Sequence, residues 1–128
     1  MFWYLLMDAR LREGIRLFNA GRYFESHESF EDFYLDTEEE HKPFLEGLVQ
    51  LAAALRLFCD FGEARGPVRM IYQALIRLED YQPTYLGIRV DRLVRGMEQW
   101  ARQIEADSGA ASTLRQQIPR IPLRRFFF

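Results

Sequence analysis

Apolar residues recur every three or four positions in five successive stretches of this chain, and no stretch sustains a two-residue alternation. That spacing lines up side chains along one face of an α-helix, whereas a half-buried strand needs an apolar residue at every second place. The pattern commits the chain to helices. Met7, Leu11, Ile15 and Phe18 make the first stripe, with Arg10, Arg12, Glu13 and Arg16 between them. Asp8 stands where an N-cap is wanted, and Gly21 lies just past the end.

A second helix is expected from about Tyr23 to Tyr34, followed by a loop of acidic residues. Pro43 reads as a helix-start proline for a third helix over about Lys42 to Phe61, the most apolar of the set. Gly47, Ala52, Ala53 and Ala54 give it a small-residue surface that lets a neighbour approach closely, so it should be the central helix. Gly62 and Gly66 bracket a turn, and Pro67 opens a fourth helix with Val68, Ile71, Tyr72, Leu75 and Leu78 inward. Tyr81 to Gly87, containing Pro83, reads as a loop. Val90, Leu93, Val94, Met97, Trp100 and Ile104 make the fifth stripe. From Ser108 to Ser112 the chain turns small and polar, and the prolines at 119 and 122 exclude a helix there.

A chain of 128 residues fits one domain, and halving it would leave too little core in each part. With 48% hydrophobic and 15% aromatic residues there is enough apolar surface to bury. The expected fold is all-α: a single compact up-and-down bundle of about five helices over residues 1–107, with an irregular basic and aromatic tail over 108–128.

Net charge is −2, but its distribution is uneven. Between Tyr23 and Glu40 there is no Lys or Arg, while Glu25, Glu28, Glu31, Asp32, Asp36, Glu38, Glu39 and Glu40 all fall there. After Asp107 only Arg115, Arg120, Arg124 and Arg125 are charged. The acidic stretch repels phosphates along one face and excludes broad nucleic-acid contact. It also offers the basic tail a place to fold back, or an acidic partner a tail to meet.

Cys59 is the only cysteine, so no internal disulfide and no cysteine-based zinc cluster can form. The apolar opening from Met1 to Met7 lacks a basic start and a cleavage site and is too short to cross a bilayer, which fits a cytoplasmic chain without membrane association. Phe126, Phe127 and Phe128 would be a liability if exposed, so they are expected to pack on their own chain or to meet a second copy or a protein partner. Three residues bury too little for a membrane anchor.

The second helix carries the chemistry worth weighing. Tyr23, His27, Phe30, Glu31 and Tyr34 follow helical spacing and should share an inward face. His27 and Glu31, one turn apart, would then satisfy each other, since an unpaired buried charge is expensive. Glu28 lies about 100° around the helix from His27, nearer the rim. On the third helix Glu46 and Gln50 form a polar pair, and if the two pairs face each other they enclose a small polar pocket. A divalent metal takes imidazole and carboxylate from facing helices, with His27, Glu31 and Glu46 as ligands and Glu28 as a base acting on bound water. The competing reading is a buried polar network that fixes helix register, with Gln50 closing the ring. Glu38, Glu39 and Glu40 read as a solvated loop, and the aromatic stripe as core.

The run from Leu17 to Glu28, followed by Glu31 and then Phe44 to Leu55, resembles the bacterial and archaeal domain-of-unknown-function family 309. That family is marked by a His-x-x-x-Glu-x-x-aromatic helix and a Gly-Leu-Ile-Gln-Leu-Ala-Ala-like helix, and the likeness spans roughly Arg10 to Gln103. It implies a small helical bundle of unestablished function, for which a metal-dependent hydrolase label rests on the His/Glu motif. Tyr34 stands where the family commonly has Trp, and Glu46 where it commonly has Gln. Two functional readings follow. One is a non-catalytic module that binds a protein partner or itself, preferred on physical grounds. The other is a metal-dependent hydrolase between helices two and three.

Overall fold

Five long helices and one short one account for most of the chain in the computed structural model, which describes residues 7–124. They are α1 (Ala9–Asn19), α2 (Tyr23–Asp36), α3 (Lys42–Phe61), α4 (Arg65–Leu78), α5 (Val90–Ala106) and the single turn α6 (Ala111–Leu114). Through α5, each helix packs on its neighbour in sequence, which is the expected up-and-down order. Among the described residues there is no strand, and no helix is long and apolar enough to cross a membrane. The expectations for Met1 to Leu6 and for Phe126, Phe127 and Phe128 lie outside the described residues.

Local chemistry sets the helix ends. Asp8 caps α1, its Oδ1 accepting the Arg10 amide at 2.8 Å. The Arg10 guanidinium folds back onto the same carboxylate, holding its pKa below the usual carboxylate value, and also reaches Asp36 at the far end of α2. At the other end Gly21 sits at φ 79°, with its own amide on the Phe18 carbonyl and the Arg22 amide on Leu17. That is a Schellman closure, and it requires the left-handed conformation that glycine adopts freely. Gly62, at φ 69°, ends α3 in the same left-handed region. Pro67 was expected to open α4 but sits instead in a first turn that begins at Arg65; proline is tolerated there because those amides lack helical partners anyway.

The core runs along α3, where Phe44, Leu45, Leu48, Leu51, Ala52, Ala54 and Leu55 are fully buried. Small residues set how closely its neighbours come. A Cβ added at Gly47 would lie 2.8 Å from Leu78 Cδ2, so α4 approaches α3 over a glycine. Likewise a Cβ at Gly14 of α1 would overlap the Phe30 ring of α2, a side chain with no solvent exposure.

Residues 108–124, expected to be irregular, contribute to this core. Leu114 in α6 and Ile121 beyond it are buried, and the Leu114 carbonyl accepts the Trp100 indole at 2.8 Å. Asn19 holds Ile121 by both backbone groups, its Nδ2 donating to the carbonyl at 3.1 Å and its Oδ1 accepting the amide at 2.7 Å. Ile88 forms isolated bridges with Tyr85 and Leu123. The amide of Arg89 adds a bond to the Pro122 carbonyl, and that of Arg124 one to Gly87. Leu86 (φ 48°) and Gly87 (φ 84°) make the tight turn between Tyr85 and Ile88.

Two of the helical glycines, Gly14 within α1 and Gly66 in the first turn of α4, give a direct check. Replacing Gly by Ala inside a helix favours folding by about 0.5–1 kcal/mol when space allows. Gly14→Ala should instead lower stability by about 1–3 kcal/mol, because the Phe30 ring must shift within a packed core. Gly66→Ala, which meets nothing closer than a flexible Glu63 carboxylate oxygen at 3.9 Å, should be neutral or slightly stabilising. Urea denaturation of both variants beside wild type measures the contrast.

Candidate functional site

The setting of α2 decides where the expected site residues point. Two serines bond α2 to the backbone of α1: Ser26 Oγ donates to the Gly14 carbonyl and Ser29 Oγ to the Arg10 carbonyl, each at 2.8 Å. Phe30 lies on Gly14, and the Arg10 guanidinium sits 5.3 Å above the Phe33 ring. The buried residues of α2 are therefore Ser26, Phe30 and Phe33. Tyr23, His27 and Tyr34 are half-buried, and Glu28 and Glu31 are exposed. Glu31 is about 100° around the helix from Phe30, enough to carry it off the inward face it was expected to share.

His27 and Glu31 form no hydrogen bond or ion pair with each other, and Glu46 and Gln50 do not turn toward them. Glu46 pairs with Arg77 of α4 at 3.2 Å. The Gln50 carbonyl oxygen accepts from Arg77 Nε at 3.3 Å, and its amide donates to Gln73 at 3.2 Å. This polar chain lies across α3 and α4, on the side of α3 that meets its other neighbour. The five residues read from the sequence as one pocket thus fall into an α2 set, His27, Glu28 and Glu31, and an α3/α4 set, Glu46 and Gln50. The ligand atoms of His27, Glu31 and Glu46 are not gathered.

Among the described residues, a group whose ligand atoms lie within 4.8 Å of one another is Glu38, Glu40 and His41. It occupies the acidic segment expected to be a solvated loop, and its turn, Glu39–His41, is a short 3₁₀ helix leading into α3. Glu38 and Glu40 are exposed as expected, whereas His41 is half-buried. Its Nδ1 lies 2.5 Å from the Tyr85 hydroxyl, whose pKa is raised by burial first and then by Glu40, Tyr81 and Glu38. Tyr85 belongs in turn to an aromatic group with Phe44 and Tyr81, with centroids 4.6–5.2 Å apart. Sequence spacing gave no sign of this contact, because His41 and Tyr85 are 44 positions apart and meet only through the α4–α5 loop.

A third arrangement joins α2 and α3 on the outside. The Arg56 guanidinium lies 4.2 Å from the centre of the Phe24 ring and 5.4 Å from that of Phe61. Both phenylalanines are solvent-exposed, at 41% and 59%. Cys59, on the same helix, is half-buried with its thiol pKa pushed up chiefly by burial, so it is a poor nucleophile.

Residues 11–70, covering α1 to α3 and the start of α4, match the family model described as Domain of unknown function (DUF309). This segment resembles a DUF309 domain. His27, Glu31, Glu46, Gln50 and the Phe24, Arg56 and Phe61 arrangement all lie inside it, while Tyr85 lies beyond it. No curated protein matches the chain.

The exposure difference along α2 sets a mutational contrast. Glu31→Ala should change stability by less than about 0.5 kcal/mol, as for other exposed side chains without a partner. Phe30→Ala, one position away, should lower it by about 3–5 kcal/mol. Equilibrium unfolding of the two variants measures both. A loss of 2 kcal/mol or more for Glu31→Ala (about thirtyfold in the folding constant) would mean that Glu31 is paired in the folded chain.

Proposed function

We propose that this chain is a non-catalytic helical module that acts through its surface, by binding a second copy of itself or a protein partner. The observation that supports this best is Arg56 held against Phe24 and Phe61, two large aromatic side chains left exposed on adjoining helices. Exposed phenylalanines lose nothing by meeting another protein and gain about 25 cal/mol for each Å² removed from water. Arginine and aromatic residues together are the side chains that most often carry protein interfaces. The guanidinium also stiffens the patch, since it is stacked before any partner arrives.

The alternative, a metal-dependent hydrolase, draws on His27 and Glu31. It needs further ligands beside them, and Glu46 is engaged with Arg77 on the opposite flank of α3. Metal chemistry would find its ligand geometry more readily at Glu38, Glu40 and His41, where Tyr85 orients the imidazole as outer partners of metal-binding histidines do.

Light scattering across a concentration series separates the readings when combined with elemental analysis. Wild type should gain mass with concentration, and Phe24→Ser/Phe61→Ser should remain monomeric without losing its fold. A wild type that is monomeric throughout removes the self-association form of the proposal. In parallel, protein purified without chelator should carry no stoichiometric metal. Near-stoichiometric metal that disappears in His27→Ala would establish the hydrolase reading instead, and metal that disappears only in His41→Ala would move that reading to the loop.

A further inference from the structure

A cleft of about 590 Å³ opens between the start of α4 and the end of α5, remote in sequence from the α2 residues. Its walls are of two kinds. Val68 and Ile104 supply an apolar base, at 5% and 2% exposure, with the Tyr72 ring beside them. Arg65 and Arg69, one helical turn apart on α4, supply two exposed cations.

These two arginines differ from most others in the chain. Eight arginines elsewhere have a carboxylate oxygen within 4.0 Å. The side chains of Arg65 and Arg69 have neither an ion pair nor a hydrogen bond among the described residues. Like charges at this spacing repel along a helix, so leaving both unpaired is mildly destabilising until an anion arrives. The start of α4 adds to the attraction. Its N-cap, Ala64, has no side chain to offer the first amides, which leaves the positive end of the helix dipole uncapped beside the cleft.

One carboxylate, Glu105, also borders the cleft, and it is already engaged. The Tyr72 hydroxyl donates to its Oε1 at 2.6 Å. The phenol stays protonated, because burial first and the bond to Glu105 second push its pKa up to about 12. The cleft therefore holds two free cations against one committed anion, over an apolar base.

We propose that this cleft binds a small organic phosphate, a monoester whose phosphate sits between Arg65 and Arg69 and whose apolar or aromatic body lies on Val68, Ile104 and the Tyr72 ring. A phosphate dianion matches two guanidinium forks, each able to give two parallel N–H bonds, better than a single carboxylate does. The volume falls in the range of small-molecule sites. The cleft shares no lining residue with the Phe24 and Phe61 surface, and the proposal holds whether or not the chain self-associates.

Phenyl phosphate titrated into the ¹⁵N-labelled full chain tests it, with inorganic phosphate and phenol in separate titrations. Phenyl phosphate should give saturable amide shifts centred on residues 64–72 and 104–105, with inorganic phosphate weaker at the same amides and phenol weaker still. Arg65→Gln/Arg69→Gln, two exposed changes that leave the fold intact, should weaken phenyl phosphate by about tenfold or more, as expected for loss of charged hydrogen bonds. Equal affinity in that variant, or shifts spread over the other arginines, overturns the proposal. Inorganic phosphate binding as tightly as phenyl phosphate overturns the organic part of it, since the apolar base would then contribute nothing.

Discussion

The Phe30 ring lies directly on the backbone of Gly14, with Ser26 Oγ on the Gly14 carbonyl beside it. Three consequences follow from that one contact. Helix α1 and helix α2 come closer than a side chain on α1 would allow. The face of α2 opposite α1's backbone is fixed to Ser26, Phe30 and Phe33. And because a helix turns by about 100° per residue, the same rotation carries Glu31 into solvent and leaves His27 half-buried. The fate of the residues that look most chemical in the sequence is thus settled by a glycine 13 and 17 positions before them.

Helix α3 shows why a correct helix can still give a misplaced partner. Its limits were legible: Pro43 and Gly62 punctuate it, and Lys42–Phe61 is the span that both sequence and structure give. So were the Asp8 cap and the Gly21 closure of α1, since these depend only on residues a few places apart. Glu46 and Gln50 were legible as a pair on one helix face. What periodicity does not reveal is which of two flanking helices that face meets. A central helix has a neighbour on each side, and here α4 supplies Arg77 and Gln73 to the pair while α2 meets the other flank.

Contacts across long separations were hidden for a different reason. His41 reaches Tyr85 through a loop whose course is fixed by Leu86 and Gly87 at positive φ and by the pairing of Ile88 with Leu123. Ile121 is buried because Asn19, 102 positions earlier, completes both of its backbone hydrogen bonds. Neither residue belongs to a periodic stripe. Residues 118–122 are correctly non-helical by their prolines, yet a non-helical segment can still be core when its polar backbone groups find partners.

The same bookkeeping of partners bears on function. Most carboxylates that a catalytic reading would recruit are either exposed or tied to a guanidinium, as Glu13 is to Arg16 one turn along α1 and Glu46 to Arg77 across to α4. Such pairing neutralises charge without gathering it, and a reaction site needs charge gathered where water is kept out. The unspent chemistry is at the surface instead: two exposed phenylalanines around a stacked arginine, and two unpaired arginines above an apolar hollow. Both arrangements have in place the kind of group that association recruits, an apolar surface in one and an unmatched charge in the other. A helical bundle that settles its charges pairwise and leaves these two surfaces incomplete fits the binding role proposed for it.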